Sequence, residues 1–156
     1  MNETPTIPLA QLTAGSAVRF GTSGVRGPTS ELTDRVCYGY ALAFLQHLEG
    51  LGELTPGGAV ALGGDLRPST GRMLRAVACA VADRGYRPLD CGRVPSPALA
   101  LYGLQQACPT IMITGSHIPE DRNGIKFTRR AGEILKADEQ SISGQRLTLP
   151  DRFDEA

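Results

Sequence analysis

Apolar positions along the chain follow two periods. Val36, Tyr40, Ala43, Phe44 and His47 recur at helical spacing behind Thr33 and Asp34, which can cap a helix start, and Gly50 or Gly52 closes the pattern. Met73, Leu74, Val77, Ala78 and Val81 mark a second amphipathic helix ended by Gly85. Residues 98–106 predict a third helix and residues 138–147 a last one. Between the helices lie short apolar runs. AVALG at 59–63 and TIMIT at 110–114 read as buried strands, residues 87–91 and 125–128 as shorter ones. Glycine-rich or polar stretches separate these elements at 20–28, 55–58, 64–71, 95–97 and 130–132. Residues 1–19 read as a loosely ordered arm.

Strands alternating with helices predict an α/β fold, a three-layer sandwich whose mixed, largely parallel sheet is flanked by helices. The organisation that follows is an N-terminal arm (1–17), one domain (18–147), and a linker or tail (148–156). The core looks complete by Phe127. Ile134, Leu135, Ile142, Leu147 and Leu149 are therefore expected to form an apolar face, with weak self-association or a mobile C-terminal segment as the outcome.

Composition narrows the function. The 156 residues allow one domain with a core of its own. Acidic and basic residues balance at 16 each, with no basic stripe for nucleic acid or polybasic patch for a membrane. No run approaches the roughly 18 apolar residues of a membrane span, and MNETPTIPLAQLTAG lacks the build of a signal peptide. A soluble cytoplasmic protein is expected. Cys37, Cys79, Cys91 and Cys108 stand singly, without metal-ligand spacing, and read as buried reduced thiols.

Three polar segments hold candidate chemistry. TGSHIPEDRNGIKF at 114–127 follows an apolar run, so Ser116 projects from the end of a strand with His117 beside it. A histidine there can exchange a proton with a reacting oxygen or hydrogen-bond a phosphate; the plainer alternative is a turn whose serine caps its own backbone. Neighbouring side chains in extended backbone point apart, which argues against a serine–histidine hydrolase pair. FGTSGVRG at 20–27 offers backbone N–H groups at Thr22, Ser23 and Gly24, and the guanidinium of Arg26, to an anion. It lacks the ending of a P-loop, so a nucleotide-binding flavodoxin-like domain is disfavoured. GGDLRPST carries Asp65 and Arg67, which can pair and brace adjacent loops, or simply form a solvated turn. Lys126, two residues past Gly124, can direct an ammonium at the serine.

FGTSGVRG, GDLRPST and TGSHIPEDRNGIKF, in this order, resemble the first domain of the α-D-phosphohexomutases, the superfamily of phosphoglucomutase and phosphomannomutase. The resemblance covers about residues 18–147. It implies that Ser116 carries a phosphate and passes it to a hexose monophosphate through a bisphosphate intermediate. It implies catalytic roles for Ser116, His117, Lys126 and Arg26. It implies contacts to substrate or phosphate from Thr22, Ser23, Gly24, Arg67, Arg122 and Asn123. It further implies Mg²⁺ held by the Ser116 phosphate together with an aspartate loop of a second domain, a hexose bisphosphate activator, and further mutase domains as partners. This sequence contains no D-x-D-x-D, so the chain alone is expected to be inactive. The competing reading is a stand-alone, non-catalytic binding or regulatory module derived from this domain.

Overall fold

The computed structural model describes residues 4–21 and 23–153. In chain order the elements are β1 (Ile7–Pro8), α1 (Leu9–Leu12), β2 (Arg19–Gly21), β3 (Gly24–Pro28), α2 (Asp34–Gly50), β4 (Ala59–Gly64), α3 (Thr70–Asp83), β5 (Arg87–Arg93), α4 (Ser96–Gln106), β6 (Thr110–Ile113), β7 (Arg122–Arg129), β8 (Gly132–Glu133), α5 (Lys136–Ser143), β9 (Arg146–Leu147) and a short 3₁₀ turn, Asp151–Phe153.

One mixed sheet runs in the order β2-β3-β7-β6-β4-β5, with β8 added beside β7. Only the β6/β4 and β4/β5 pairs are parallel; β2/β3, β3/β7, β7/β6 and β7/β8 are antiparallel. The sheet is thus less parallel than the strand–helix alternation suggested. A parallel neighbour needs a crossover, which α3 and α4 provide, whereas β2 and β3, β6 and β7, and β7 and β8 are joined by hairpins or short returns. The glycine-rich segment expected as a loop is one of these hairpins, with Gly24 and Gly27 inside β3. A Cβ at Gly24 would fall on the backbone of Ile125, so this close strand approach requires glycine.

Side-chain alternation sorts the sheet residues into two layers. Val25, Val60, Leu62, Ile111, Ile113, Ile125 and Phe127 face the main core, built with α2, α3 and α5. Ala61 and Met112 face the other way, against Leu99 of α4. Helices therefore cover both faces. Thr33 caps α2 by accepting from the Val36 amide (3.2 Å), and α4 starts two residues earlier than expected, with Pro97 in its first turn.

Four expectations are corrected. The arm is not loose between residues 7 and 12. Ile7 and Pro8 pair antiparallel with Leu147 and Arg146, and Leu9 is buried. The apolar residues assigned to an exposed C-terminal face mostly belong to the core: Ile134, Ile142 and Leu147 are buried, Leu149 packs against them, and only Leu135 is exposed. The last helix ends at Ser143 because Gly144 interrupts it and Leu147 is recruited into β9. Cys79 lies exposed on α3, unlike buried Cys37 and Cys108. Burial pushes the Cys37 thiol up to about 12, so it stays protonated.

Buried His47 and Asp138 pair with each other and with further partners. His47 of α2 shares a 2.7 Å hydrogen bond with Asp138 and a 2.8 Å one with Ser141. Asp138 also accepts from the Leu135 amide and from Arg129, which in turn pairs with Glu53. This network ties α5 to α2 and β7. No helix among the described residues is long and apolar enough to cross a membrane.

Candidate functional site

β6 delivers the chain into the segment 114–121, which returns as β7. Ser116 is exposed and adopts a left-handed backbone (φ 54°). Its amide donates to the Thr114 hydroxyl (3.1 Å), and the Ile118 amide donates to the Gly115 carbonyl (3.0 Å), closing a tight turn. Among the described residues three non-glycine residues have positive φ, Ser23, Ala107 and Ser116. Such backbone is costly for a residue with a Cβ and concentrates at functional sites.

The turn is held from beneath by Asp65 and Arg67, which follow β4. Asp65 accepts from the Thr70 hydroxyl (2.6 Å), the Gly115 amide (2.9 Å) and the Arg67 amide (3.1 Å). Burial pushes its carboxyl up, but these hydrogen bonds and the Arg67 charge outweigh that and leave it below the ordinary aspartate value. The Arg67 guanidinium donates to four carbonyls of the turn: Pro119 (2.6 Å), Ile118 (2.5 Å), Arg122 (3.1 Å) and Ser116 (3.3 Å). Its Nε lies 3.3 Å from Asp65. The expected pairing and bracing are present. With its donors directed at the protein's own backbone, Arg67 shapes the turn in this structure. A Cβ at Gly115 would land on this guanidinium, which is the steric reason for glycine ahead of the serine.

Asn123 is fully buried and donates to Ser69 (2.8 Å) and Thr70 (3.1 Å), locking β7 to the start of α3. It too serves as scaffold here. Thr70 joins the Asn123 and Asp65 networks, so the floor of the site is one connected set of hydrogen bonds.

Above this floor is a cleft of about 150 Å³ lined by Gly24, Arg26, Ser96, Thr114, Ser116, Gly124 and Lys126, among others. Register explains the grouping. Gly24 pairs with Lys126 and Arg26 with Gly124, so both cations project from the α4 face of the sheet. The glycines opposite them leave that face open. Ser116 thus sits past a strand end with Arg26 and Lys126 in one cleft. Arg122 shares their face at the start of β7, and its carbonyl is one of those held by Arg67. His117 is exposed and lies outside the cleft lining. Ser23 and Gly24 form the end of the β2–β3 hairpin; Thr22 lies outside the described residues.

Two residues escaped the sequence reading, one lining the cleft and one beside it. Ser96 opens α4 and lines the cleft; its only signal is a Ser-Pro pair after a strand. Glu133 of β8 pairs with Lys126 (Nζ–Oε1 2.9 Å) and accepts from the Ser23 hydroxyl (3.2 Å). The Lys126 hydrogen bond and charge draw the Glu133 carboxyl below the ordinary glutamate value. No group of three or more histidine, cysteine, aspartate or glutamate side chains able to hold a metal occurs among the described residues.

The chain matches the model of phosphoglucomutase/phosphomannomutase, alpha/beta/alpha domain I, over residues 17–149. It is 50% identical over 125 residues to a phosphomannomutase of Sinorhizobium fredii, covering 80% of this chain and 26% of that protein. A phosphoglucosamine mutase of Thermotoga neapolitana is 33% identical over 124 residues, covering 79% and 27%. The crystal structure of a phosphoglucomutase/phosphomannomutase family protein from Burkholderia thailandensis superposes with a TM-score of 0.67 at 26% identity, covering 78% of this chain and 28% of that one. The chain thus spans about a quarter of the length of the mutases it matches. The family model spans most of the chain, and the chain belongs to the phosphoglucomutase/phosphomannomutase family, as its α/β/α domain I.

Proposed function

We propose that this chain is the phosphoserine-bearing domain of a hexose-phosphate mutase that interconverts sugar 1-phosphate and 6-phosphate, with mannose or glucose as the sugar, in the cytoplasm. The observation that carries the reading is Ser116: exposed, set in left-handed backbone at a strand end, and sharing a cleft with Arg26 and Lys126. The mutase names of the relatives support the reaction class.

In this reading the phosphate on Ser116 passes to a free hydroxyl of a hexose monophosphate. A new phosphorus–oxygen bond to the sugar forms as the bond to Ser116 Oγ breaks, and the hydroxyl proton ends on Oγ. The bisphosphate then turns round, and its other phosphate returns to the serine by the reverse step. Phosphoryl transfer asks mainly for positioning and neutralisation of charge. Phosphorylated Ser116 carries nearly two negative charges, and Arg26 and Lys126 are placed to balance them. His117, at the rim, is assigned to proton exchange with the sugar hydroxyl or to hydrogen bonding the phosphate. Ser23, Gly24, Arg122 and, beyond the described residues, Thr22 are proposed to meet the substrate phosphate. A hexose bisphosphate serves as activator by loading the serine.

The fit to Mg²⁺ is incomplete. The described residues provide no carboxylate cage near Ser116. A hard divalent cation favours several oxygen ligands. The phosphate on Ser116 would be a single ligand, and carboxylates from the remaining mutase domains would have to complete the site.

Phosphopeptide mapping of the purified chain and a mutase assay test the proposal together. Phosphate is expected on Ser116 and lost in Ser116→Ala. Conversion of mannose 1-phosphate to mannose 6-phosphate by the chain alone is expected to be absent. Phosphate on another hydroxyl would refute the serine assignment. Turnover on the order of 10 s⁻¹ would refute the need for further domains. Hexose phosphate binding with Ser116 never phosphorylated would favour the binding-module reading.

A further inference from the structure

Glu133 introduces a negative charge where the proposed reaction needs positive charge. Its carboxylate lies 2.9 Å from the Lys126 ammonium, which lines the Ser116 cleft. It is anchored on its other oxygen by the Ser23 hydroxyl at 3.2 Å. Ser23 is itself fixed: it is buried, in left-handed backbone, and its carbonyl accepts from the Phe127 amide at 3.1 Å. Both ends of the carboxylate are therefore held by cleft elements, one on β7 and one on the β2–β3 turn. The Glu133 side chain is half-exposed, as is Lys126, so the pair can part without leaving a buried charge.

An anion entering the cleft must compete with this carboxylate for Lys126. A monoanion such as acetate exchanges one carboxylate for another and gains little. A phosphate dianion brings more charge to the same ammonium, with Arg26 beside it, and comes out ahead. We propose that Glu133 is a further residue of this site: a resident counter-ion that holds Lys126 until a phosphoryl group displaces it, and so sets how tightly the cleft binds an anion. This inference rests on the reading of the cleft as the Ser116 phosphate site. It adds a residue to that site.

The test uses the whole 156-residue chain and two probes, inorganic phosphate at a pH where it is mainly dianionic, and acetate. Binding is followed by amide chemical shifts of Gly24, Ser116, Gly124 and Lys126. In the wild-type chain phosphate is expected to move these signals and acetate to leave them in place at equal concentration. Glu133→Gln keeps the size and the hydrogen-bonding capacity and removes the charge. It is expected to tighten phosphate roughly two- to five-fold, the scale of a partly exposed ion pair, and acetate by no more than that. If phosphate binds at the cleft in both chains with the same affinity, the Glu133 proposal is overturned and the cleft stands. If phosphate perturbs none of these amides in either chain, the reading of the cleft falls and the proposal falls with it.

Discussion

Arg67 directs its guanidinium to four carbonyls of the turn that presents Ser116, while Asp65 accepts from the amide just ahead of it. Two residues outside the cleft thus set the direction in which the serine points. Hydrogen bonds involving a charged group contribute about 1.5–3 kcal/mol each, less where water can replace them. Arg67→Met is therefore expected to cost about 2 kcal/mol of stability and to speed hydrogen exchange at residues 115–122 far more than in the sheet. Uniform loosening of the whole domain would count against a local brace. Asp65 gives this a pH dependence. Its folded carboxyl titrates below the ordinary aspartate value. Its contribution is then fully present above about pH 4 and is lost as the pH falls through the lower folded value. Exchange at the Gly115 amide should accelerate in that acid window and stay flat above it; in Asp65→Asn the acid step should vanish.

At the scale of elements, α5 is anchored by one buried carboxylate. Asp138 meets His47, Arg129 and the Leu135 amide, so helix, strand and loop converge on it. Burial raises its carboxyl, and those partners more than reverse the effect. Removing one member of a buried, hydrogen-bonded pair costs about 3–5 kcal/mol. Asp138→Ala is expected to fall at the lower end, about 3 kcal/mol, lowering the melting temperature by about 6–12 °C for a chain of this length. Thermal unfolding followed by circular dichroism measures it, and a shift below 2 °C, against the roughly 2–4 °C expected per kcal/mol, would show that the network is dispensable. This network also marks where the sequence stopped being legible. The long periodic helices α2 and α3 and the apolar strands β4 and β6 were readable because each buries a face that a period can reveal. α5 was read as a helix with other bounds, but its burial and the strand β9 were not read, because Ile142 and Leu147 reach the core through a polar, eight-residue helix and a two-residue strand, too short to show a period. The hairpin at 20–28 hid behind its glycines, which there serve close strand packing. The cleft was readable as motifs, but the division of labour within it was not. That Arg67 and Asn123 bind protein groups depends on register between segments some fifty residues apart.

Across the whole molecule, the first and last strands among the described residues are neighbours. Ile7–Pro8 lies against Arg146–Leu147, Leu9 is buried, and Leu12 reaches over Gly39 of α2, where a Cβ would strike it. Fully burying a leucine side chain contributes about 1.5–3 kcal/mol. Deleting residues 1–12 should therefore remove about 3 kcal/mol, once the partial burial of Leu12 is added. Urea unfolding measures this as a lower midpoint. An unchanged midpoint would mean that the short strand and helix only rest on a domain that is stable without them. Because α5 and β9 pack on the same side of the sheet, the loss should spread to residues 134–147, while the Ser116 turn, held by β4, α3 and β7, should keep its exchange rates.

The left-handed backbone at Ser116 sets stability and chemistry against each other. A Cβ in that conformation carries a steric penalty that glycine escapes, so the polypeptide would fold at least as comfortably with glycine at 116, and only the hydroxyl would be lost. A lineage released from the proposed phosphoryl chemistry would have an open path to that replacement, one that improves folding while removing the proposed function. The serine in this sequence is the costlier choice of the two, kept in left-handed backbone beside the cleft that Arg26 and Lys126 also line.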